Sequence, residues 1–256
     1  MEYTHSPEMT KTRLDKLLLE RGLVTSRERA QALILAGRIL VDGQKIEKAG
    51  ANVEVNAELR LLGDDLKYVS RGGLKLEKAL DYWNINVEHR VCLDVGVSTG
   101  GFTDCLLQRG ATRVIAIDTG YGQMDFKLRQ DARVRLLEKT NARYLTREQI
   151  GEPIDLIVMD VSFISATLVL PAAVAASFTN NASQHEIVVL VKPQFEAGPE
   201  QVGKGGIVRD PAVQFAAVEK VKQSLAALNF GNIDFIESPI LGSEGNREFL
   251  MHAVYS

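Results

Sequence analysis

From Val91 onward the chain alternates short apolar runs with segments of helical period, and few folds accept that rhythm. Strands are expected at Val91–Val95, Arg113–Asp118, Val134–Leu137, Ile154–Asp160 and Ile187–Val191, with helices between them. Strands that are apolar at nearly every position and joined by crossover helices belong in a mostly parallel sheet, covered on both faces. A last helix at Ala212–Leu228 and two strands near Ile233–Pro239 and Glu248–Val254 complete the pattern, with an antiparallel member in the final pair. The glycine-rich, charged stretch Ala197 to Gly206 is expected as a mobile loop near the carboxyl ends of the strands.

The first part of the chain reads differently. Leu14, Leu17 and Leu18 form a helical face that Gly22 closes, and Ala30, Leu33 and Ile34 recur with helical period before Gly37. Thr25 and Glu28 have capping-box spacing for the second helix. Ile39-Leu40-Val41 then runs into Asp42-Gly43, a two-residue turn in which both positions tolerate positive φ. A further strand is expected near Glu58 to Leu62, and Gly63-Asp64-Asp65 marks a turn and a domain boundary. The expected organisation is a disordered or extended tail at 1–10, a small α+β domain at 11–66, a linker and the start of the larger domain at 67–90, and the α/β domain at 91–256.

Charge separates the two parts. The chain carries a net charge of −3, yet residues 11–50 hold nine Lys or Arg against five Asp or Glu. A basic patch on an otherwise acidic protein can bring a polyanion to one face. Cys92 and Cys105 fall within apolar patterns, which indicates neither a disulfide framework nor a metal site. No apolar h-region follows Met1, so no secretory signal is expected. Val161 to Phe178 is uncharged, but its Ser, Thr and Pro content reads as a loop and buried helix, not a membrane span.

The chemistry concentrates after the first strand of the α/β part. Asp94-Val95-Gly96-Val97-Ser98-Thr99-Gly100-Gly101-Phe102 opens a helix, and its glycines let a ligand approach the backbone. Asp118 ends the next strand, where a carboxylate can accept both hydroxyls of a ribose. A dinucleotide site needs glycines spaced to seat a pyrophosphate on the helix N-terminus. The glycines here are Gly96, Gly100 and Gly101, and the Asp94 carboxylate beside them would repel a pyrophosphate. That set suits a cationic sulfonium ligand such as S-adenosylmethionine better than NAD.

Charged residues also stand at the ends of other strands. Asp160 ends one, Lys192 ends the next, Lys75 precedes the sheet, and Glu248 begins the terminal strand. Methylating a ribose 2′-hydroxyl requires a base, and a lysine whose charge is disfavoured by a neighbouring cation or by burial can serve. Charged strand ends are equally often plain solubilising caps.

Several motifs together resemble a known family. Arg13-Leu14-Asp15, Ser26-Arg27 and Ala36-Gly37-Arg38-Ile39-Leu40-Val41-Asp42-Gly43 look like an S4 RNA-binding domain. Ser70-Arg71-Gly72-Gly73 to Lys75, Asp94 to Thr103, Met159-Asp160-Val161-Ser162-Phe163-Ile164-Ser165 and Val191-Lys192-Pro193-Gln194-Phe195-Glu196 resemble the hemolysin A (TlyA) family. The resemblance implies a Rossmann-like, FtsJ-like, S-adenosylmethionine-dependent methyltransferase domain behind the S4 domain. It implies a cytoplasmic enzyme acting on a cytidine 2′-oxygen in ribosomal RNA or ribosomal subunits, with no metal and no membrane partner. Lys75, Asp160, Lys192 and Glu248 would be catalytic: Lys192 the base, Lys75 and Asp160 depressing its pKa and orienting it, Glu248 holding the lysines. Asp94, Gly96, Ser98, Gly100, Gly101, Phe102, Asp118 and Asn141 would bind the cofactor. Val97 stands where the family often has alanine, and its bulk would crowd the cofactor. Arg13, Lys16, Arg27, Arg29, Arg38 and Arg71 would contact RNA, mainly at phosphates. The rival readings are a non-catalytic RNA-binding ribosome-assembly factor and a membrane-active hemolysin.

Overall fold

The structure is a computed structural model that describes residues 11–24, 26–35, 37–62, 67–178, 185–242 and 244–255. The tail at 1–10, the Thr25 cap, Ala36 and the turn at Gly63-Asp64-Asp65 lie outside the described residues. The chain divides into two compact units, residues 1–65 and 66–256.

The first unit contains β1 (Lys11–Arg13), α1 (Leu14–Glu20), α2 (Arg27–Leu35), β2 (Ile39–Val41), β3 (Gln44–Ile46), β4 (Asn52–Glu54) and β5 (Leu59–Leu61). Strand β2 pairs antiparallel with β3 and β5, and β1 pairs antiparallel with β4. The β2–β3 turn uses Asp42 and Gly43 at φ of 49° and 78°, the positive values a tight hairpin requires. Leu14, Leu17, Leu18, Ala30, Ile34 and Ile39 pack into one small apolar core.

One buried acid organises the basic side chains of this unit. Asp15 is fully buried and accepts from Arg13 Nε and Nη2 at 3.0 and 2.9 Å, Arg27 Nε at 3.0 Å and Gln31 Nε2 at 2.8 Å. These bonds, the one from Arg13 above all, hold its carboxyl well below the usual carboxylate range, against the opposing effect of burial. Arg13 and Arg27 remain about half exposed, at 47% and 49%, so part of each side chain is still open to solvent. Lys16 pairs with Glu20, and Arg38 Nε donates to the Leu62 carbonyl. Of the expected RNA contacts in this unit, two are therefore anchored on a common carboxylate.

The second unit contains α3 (Gly72–Tyr82), β6 (Val91–Val95), α4 (Gly101–Gln108), β7 (Arg113–Ile117), α5 (Phe126–Arg129), β8 (Val134–Leu137), α6 (Arg147–Ile150) and β9 (Leu156–Met159). Then follow α7 (Leu170–Ser177), β10 (Glu186–Val191), α8 (Pro193–Glu196), α9 (Pro211–Ala227), β11 (Phe230–Glu237) and β12 (Phe249–Tyr255). Among the described residues the sheet has seven strands in the order β11-β12-β10-β9-β6-β7-β8. Strands β10, β9, β6, β7 and β8 are parallel, and β12 runs antiparallel between β10 and β11. The expected alternation is thus realised, including the antiparallel final pair.

Side chains alternate across the sheet and both faces are buried. Leu93, Ile115, Ile157, Val189 and Met251 pack under α7 and α9, while Cys92, Val114, Val158, Leu190 and Leu250 pack under α3 and α4. Both cysteines are buried and free, and burial pushes the Cys105 thiol up to about 12. Residues 67–90, expected as a linker and domain start, hold α3, whose Leu76, Ala79 and Leu80 join the second of these cores. Val161–Phe178 forms a 3-10 turn (Ala166–Leu168) and the short buried helix α7. Among the described residues no helix is long and apolar enough to cross a membrane. The stretch after α8 carries a 3-10 turn at Pro199–Gln201 and a bridge between Gly203 and Ile207.

Chain direction reverses its march across the sheet between β6 and β9. Open α/β sheets bind ligands in the crevice at that switch, outside the carboxyl ends of the strands. Here Gly96 follows β6 and Asp160 follows β9.

Asp15 gives the first unit a measurable acid sensitivity. Its folded pKa is depressed, so its contribution is complete above the unfolded carboxylate pKa of about 3.9 and is lost as pH falls below it. In Asp15→Asn, hydrogen-exchange protection of α1 and α2 at neutral pH should drop below that of the wild type. The further loss of protection on acidification should be smaller than in the wild type. Equal acid dependence in both proteins would contradict the role given to Asp15.

Candidate active site

Two cavities meet at the switch point. The larger, of about 520 Å³, is lined by Val95, Gly96 and Ser98 from the β6 end, Asp118 and Gly120 from the β7 end, and Asn141, Asp160 and Ser162. The smaller, of about 370 Å³, is lined by Arg71, Lys75, Phe102, Lys192, Leu241 and Glu248. Gly96, Ser98 and Asp160 line both. They form a common wall.

The loop takes its shape from what surrounds it. Gly96 lies at φ 90°, and a Cβ there would overlap the Asp160 carbonyl, so the ends of β6 and β9 approach more closely than a side chain would permit. Asp118 fixes the far side of the loop: its oxygens accept from the amides of Ser98 and Gly120, each at 2.7 Å. Gly101 opens α4, and a Cβ there would overlap Ser70 Oγ, which is why the Ser70-Arg71-Gly72-Gly73 segment can lie against the loop.

The four candidate catalytic residues line the smaller cavity as two ion pairs. Lys75 Nζ lies 2.5 Å from Glu248 Oε2, and both residues are buried. Lys192 Nζ lies 2.7 Å from Asp160 Oδ1 and donates to Ser162 Oγ at 2.7 Å. Each lysine thus has its own carboxylate. Glu248 is paired with Lys75, a correction to the expectation that it would hold both lysines. The part expected of Asp160 also changes. A contacting carboxylate favours an ammonium, whereas burial and a second cation oppose it. The Asp160 contact is thus of the kind that holds an ammonium in place.

The candidate cofactor residues separate into three groups. Gly96, Ser98, Asp118 and Asn141 line the larger cavity, while Gly101 and Phe102 line the smaller one. Asn141 also caps the next turn by accepting from the Arg143 amide at 3.0 Å. Gly100 and Asp94 line neither cavity. Gly100 supplies the αL conformation, φ 97°, that starts α4. Asp94 is fully buried behind the loop, where Thr103 Oγ1 donates to its Oδ2 at 2.6 Å. Its Oδ1 is buried without a hydrogen-bond partner. Burial, with Asp160 and Asp118 adding to it and Thr103 opposing, raises its pKa to about 7. Val97 turns into the apolar cluster beneath α3 and α4 and borders the smaller cavity, so its bulk is not in the larger one.

An S-adenosyl ligand fits the larger cavity on three observations. The volume lies within the usual range of about 300–1,000 Å³ for small-molecule sites. The Gly96 backbone forms part of its wall, and the Asp118 and Asp160 carboxylates in its lining suit a cation. Residues outside the candidate set also take part: Ser162 contacts Lys192, and Thr119, Gly120, Gln123 and Thr140 line the larger cavity. Ser162 lies within a recognised motif, and its place two residues past a strand-end acid was the available signal. Arg71 lines the smaller cavity and leaves its lining with more cations than acids.

Comparison with known proteins agrees with this geometry. Residues 68–255 match the FtsJ-like methyltransferase family and residues 12–59 the S4 domain. The chain is 45% identical to the 16S/23S rRNA (cytidine-2'-O)-methyltransferase TlyA of Mycobacterium tuberculosis, over 94% of this chain and 89% of that protein. It is 40% identical to Hemolysin A of Brachyspira hyodysenteriae, over 94% and 99% respectively. The solved structure of a provisionally named hemolysin of Streptococcus thermophilus superposes with a TM-score of 0.74 at 42% identity, covering 97% of this chain and 90% of that one.

The buried pair can be tested by stability alone. Lys75→Met leaves the Glu248 carboxylate buried and uncompensated, and the expected loss is about 3–5 kcal/mol in urea denaturation. The double variant Lys75→Met/Glu248→Gln removes the charge as well and should lose clearly less. Equal losses would show that Glu248 does not depend on Lys75 for its charge compensation.

Proposed function

The chain belongs to the FtsJ-like methyltransferase family, among the hemolysin A (TlyA) proteins that carry an S4 domain, and from that membership we propose that it transfers a methyl group from S-adenosylmethionine to the ribose 2′-oxygen of a cytidine in ribosomal RNA. The observation that carries the proposal is the common wall of Gly96, Ser98 and Asp160 between one cavity fit for the cofactor and another lined by two lysine–carboxylate pairs. The cofactor supplies an electrophilic methyl group on a sulfonium centre. Everything else falls to the protein's own side chains.

In this reading the smaller cavity receives the target ribose. Lys192 donates one hydrogen to Ser162 and lies in ion-pair contact with Asp160, which leaves donor directions of its ammonium for the 2′-hydroxyl. Lys192 accepts the hydroxyl proton only as a free amine, so its ammonium must first lose a proton to solvent, which the entering ribose favours by loosening the Asp160 contact. Lys75, held by Glu248, keeps a second cation in the cavity that opposes the charge on Lys192 and steadies negative charge growing on the 2′-oxygen. Arg71 and the Asp15-anchored Arg13 and Arg27 would contact phosphates, with Lys16, Arg29 and Arg38 extending the basic surface of the S4 unit. A ribosomal substrate implies work in the cytoplasm.

Incubation of purified protein with S-adenosylmethionine and ribosomal subunits, followed by nucleoside mass spectrometry, tests the proposal. The expected product is 2′-O-methylcytidine. Lys192→Ala should lower the rate by roughly 10²–10⁴-fold while cofactor affinity stays the same. Methylation of a base, or a fully active Lys192→Ala, would remove the proposed mechanism.

A further inference from the structure

Three carboxylates stand at the carboxyl ends of three adjacent strands: Asp118 after β7, Asp94 on β6 and Asp160 after β9. Two of them are compensated. Asp118 accepts two backbone amides, and Asp160 contacts the Lys192 ammonium. Asp94 is the most deeply buried of the three and has the least support. Thr103 of α4 supplies its polar contact, and its Oδ1 has none. The charged groups acting on it from the neighbouring strands, Asp160 and Asp118, are both anionic. On its own strand Cys92 is two residues back, a neutral thiol in the same core.

Such a carboxyl holds a proton readily and gives it up when a positive charge arrives. Asp118 and Asp160, whose charges act on Asp94, both line the larger cavity, and so do Val95 and Gly96 next to it in the chain, so a cation bound there acts on the same carboxyl through protein and not through water. The methyl donor carries a permanent positive charge on sulfur. After transfer the same molecule is a neutral thioether. The two differ by one methyl group and one charge, and a shape-based contact discriminates a methyl group weakly.

We propose that Asp94 distinguishes the sulfonium donor from its thioether product by charge: binding of the donor expels the Asp94 proton to solvent, and the carboxyl recovers a proton when the thioether occupies the site. The inference rests on the S-adenosylmethionine reading of the larger cavity. Asp94 touches neither ligand, so it is a specificity-determining residue that acts through space. It also serves turnover, because the product loses the attraction that held the donor.

Burial pushes the Asp94 carboxyl up to about 7, which places the effect around neutrality. The test is calorimetric titration of the full chain with S-adenosylmethionine and with S-adenosylhomocysteine at about pH 6 and about pH 8. If the donor requires the ionised carboxylate, its advantage over the product should grow by up to about tenfold across that interval. In Asp94→Asn the advantage should change much less, and any titration of the ligands themselves is common to both proteins. Titrations of the wild type near pH 7 in buffers of different ionisation enthalpy provide a second measurement that needs no variant. The donor should release up to about half a proton per site on binding, the share still bound near pH 7, and the product should release none. Equal proton release by both ligands, or an Asp94→Asn profile that follows the wild type, would overturn the proposal. Failure of both ligands to bind at any pH would sink the cofactor reading, and this inference with it.

Discussion

The close approach of the β6 and β9 ends, possible because Gly96 has no side chain to meet the Asp160 carbonyl, is the constraint on which the site depends. It brings the loop after β6 and the acid paired with Lys192 into one wall. With any larger residue at 96 the strands would have to part, and the two cavities would no longer share a boundary. The sheet order makes this contact possible: the chain builds β6, β7 and β8 outward and then returns to lay β9 beside β6. The loop after β6 and the two lysine–carboxylate pairs are thus brought together by topology before any side chain is chosen.

Electrostatics then decides what each residue can do. The two acids of the smaller cavity each compensate one lysine, which limits the cost of placing charge in a largely buried site. Lys75 and Glu248 form the more enclosed pair and are suited to holding a fixed field. Lys192 is enclosed to a similar degree as Lys75, but its carboxylate is the more exposed of the two and a hydroxyl also contacts it, which gives that pair more freedom to rearrange. Asp94 lies behind this arrangement, uncompensated. The site therefore holds a stable pair, an adaptable pair and a carboxyl that responds to what occupies the larger cavity.

Much of this was legible in the sequence, for identifiable reasons. The central strands are apolar on both faces, so their existence and order of type could be read directly, and β6 and β8 match their expected limits. The Asp42-Gly43 hairpin was readable because only a few residue pairs accept its backbone. Helix α3 was not, because Gly72 and Gly73 at its start suggest a connector; packing of Leu76 and Leu80 on the sheet overrides that local preference. Strands β1 and β4 are three residues each, too short for a periodic signal. The motifs named the residues around the smaller cavity, but not how they pair. Lys75 and Glu248 are 173 residues apart, and their contact depends on β12 entering the sheet beside β10. For Asp94 the motif indicated proximity to the glycines, whereas the alternation of β6 turned its side chain toward α4 and away from the cavity.

Mass-spectrometric mapping of ribose methylation in ribosomal RNA, from cells with and without this protein, tests the central assignment most directly. Loss of a 2′-O-methyl group from one or more cytidines in cells lacking the protein, with base methylation unchanged, is the expected result. An identical ribose-methylation map in both cell types, or loss of a methyl group from a base instead, would contradict it.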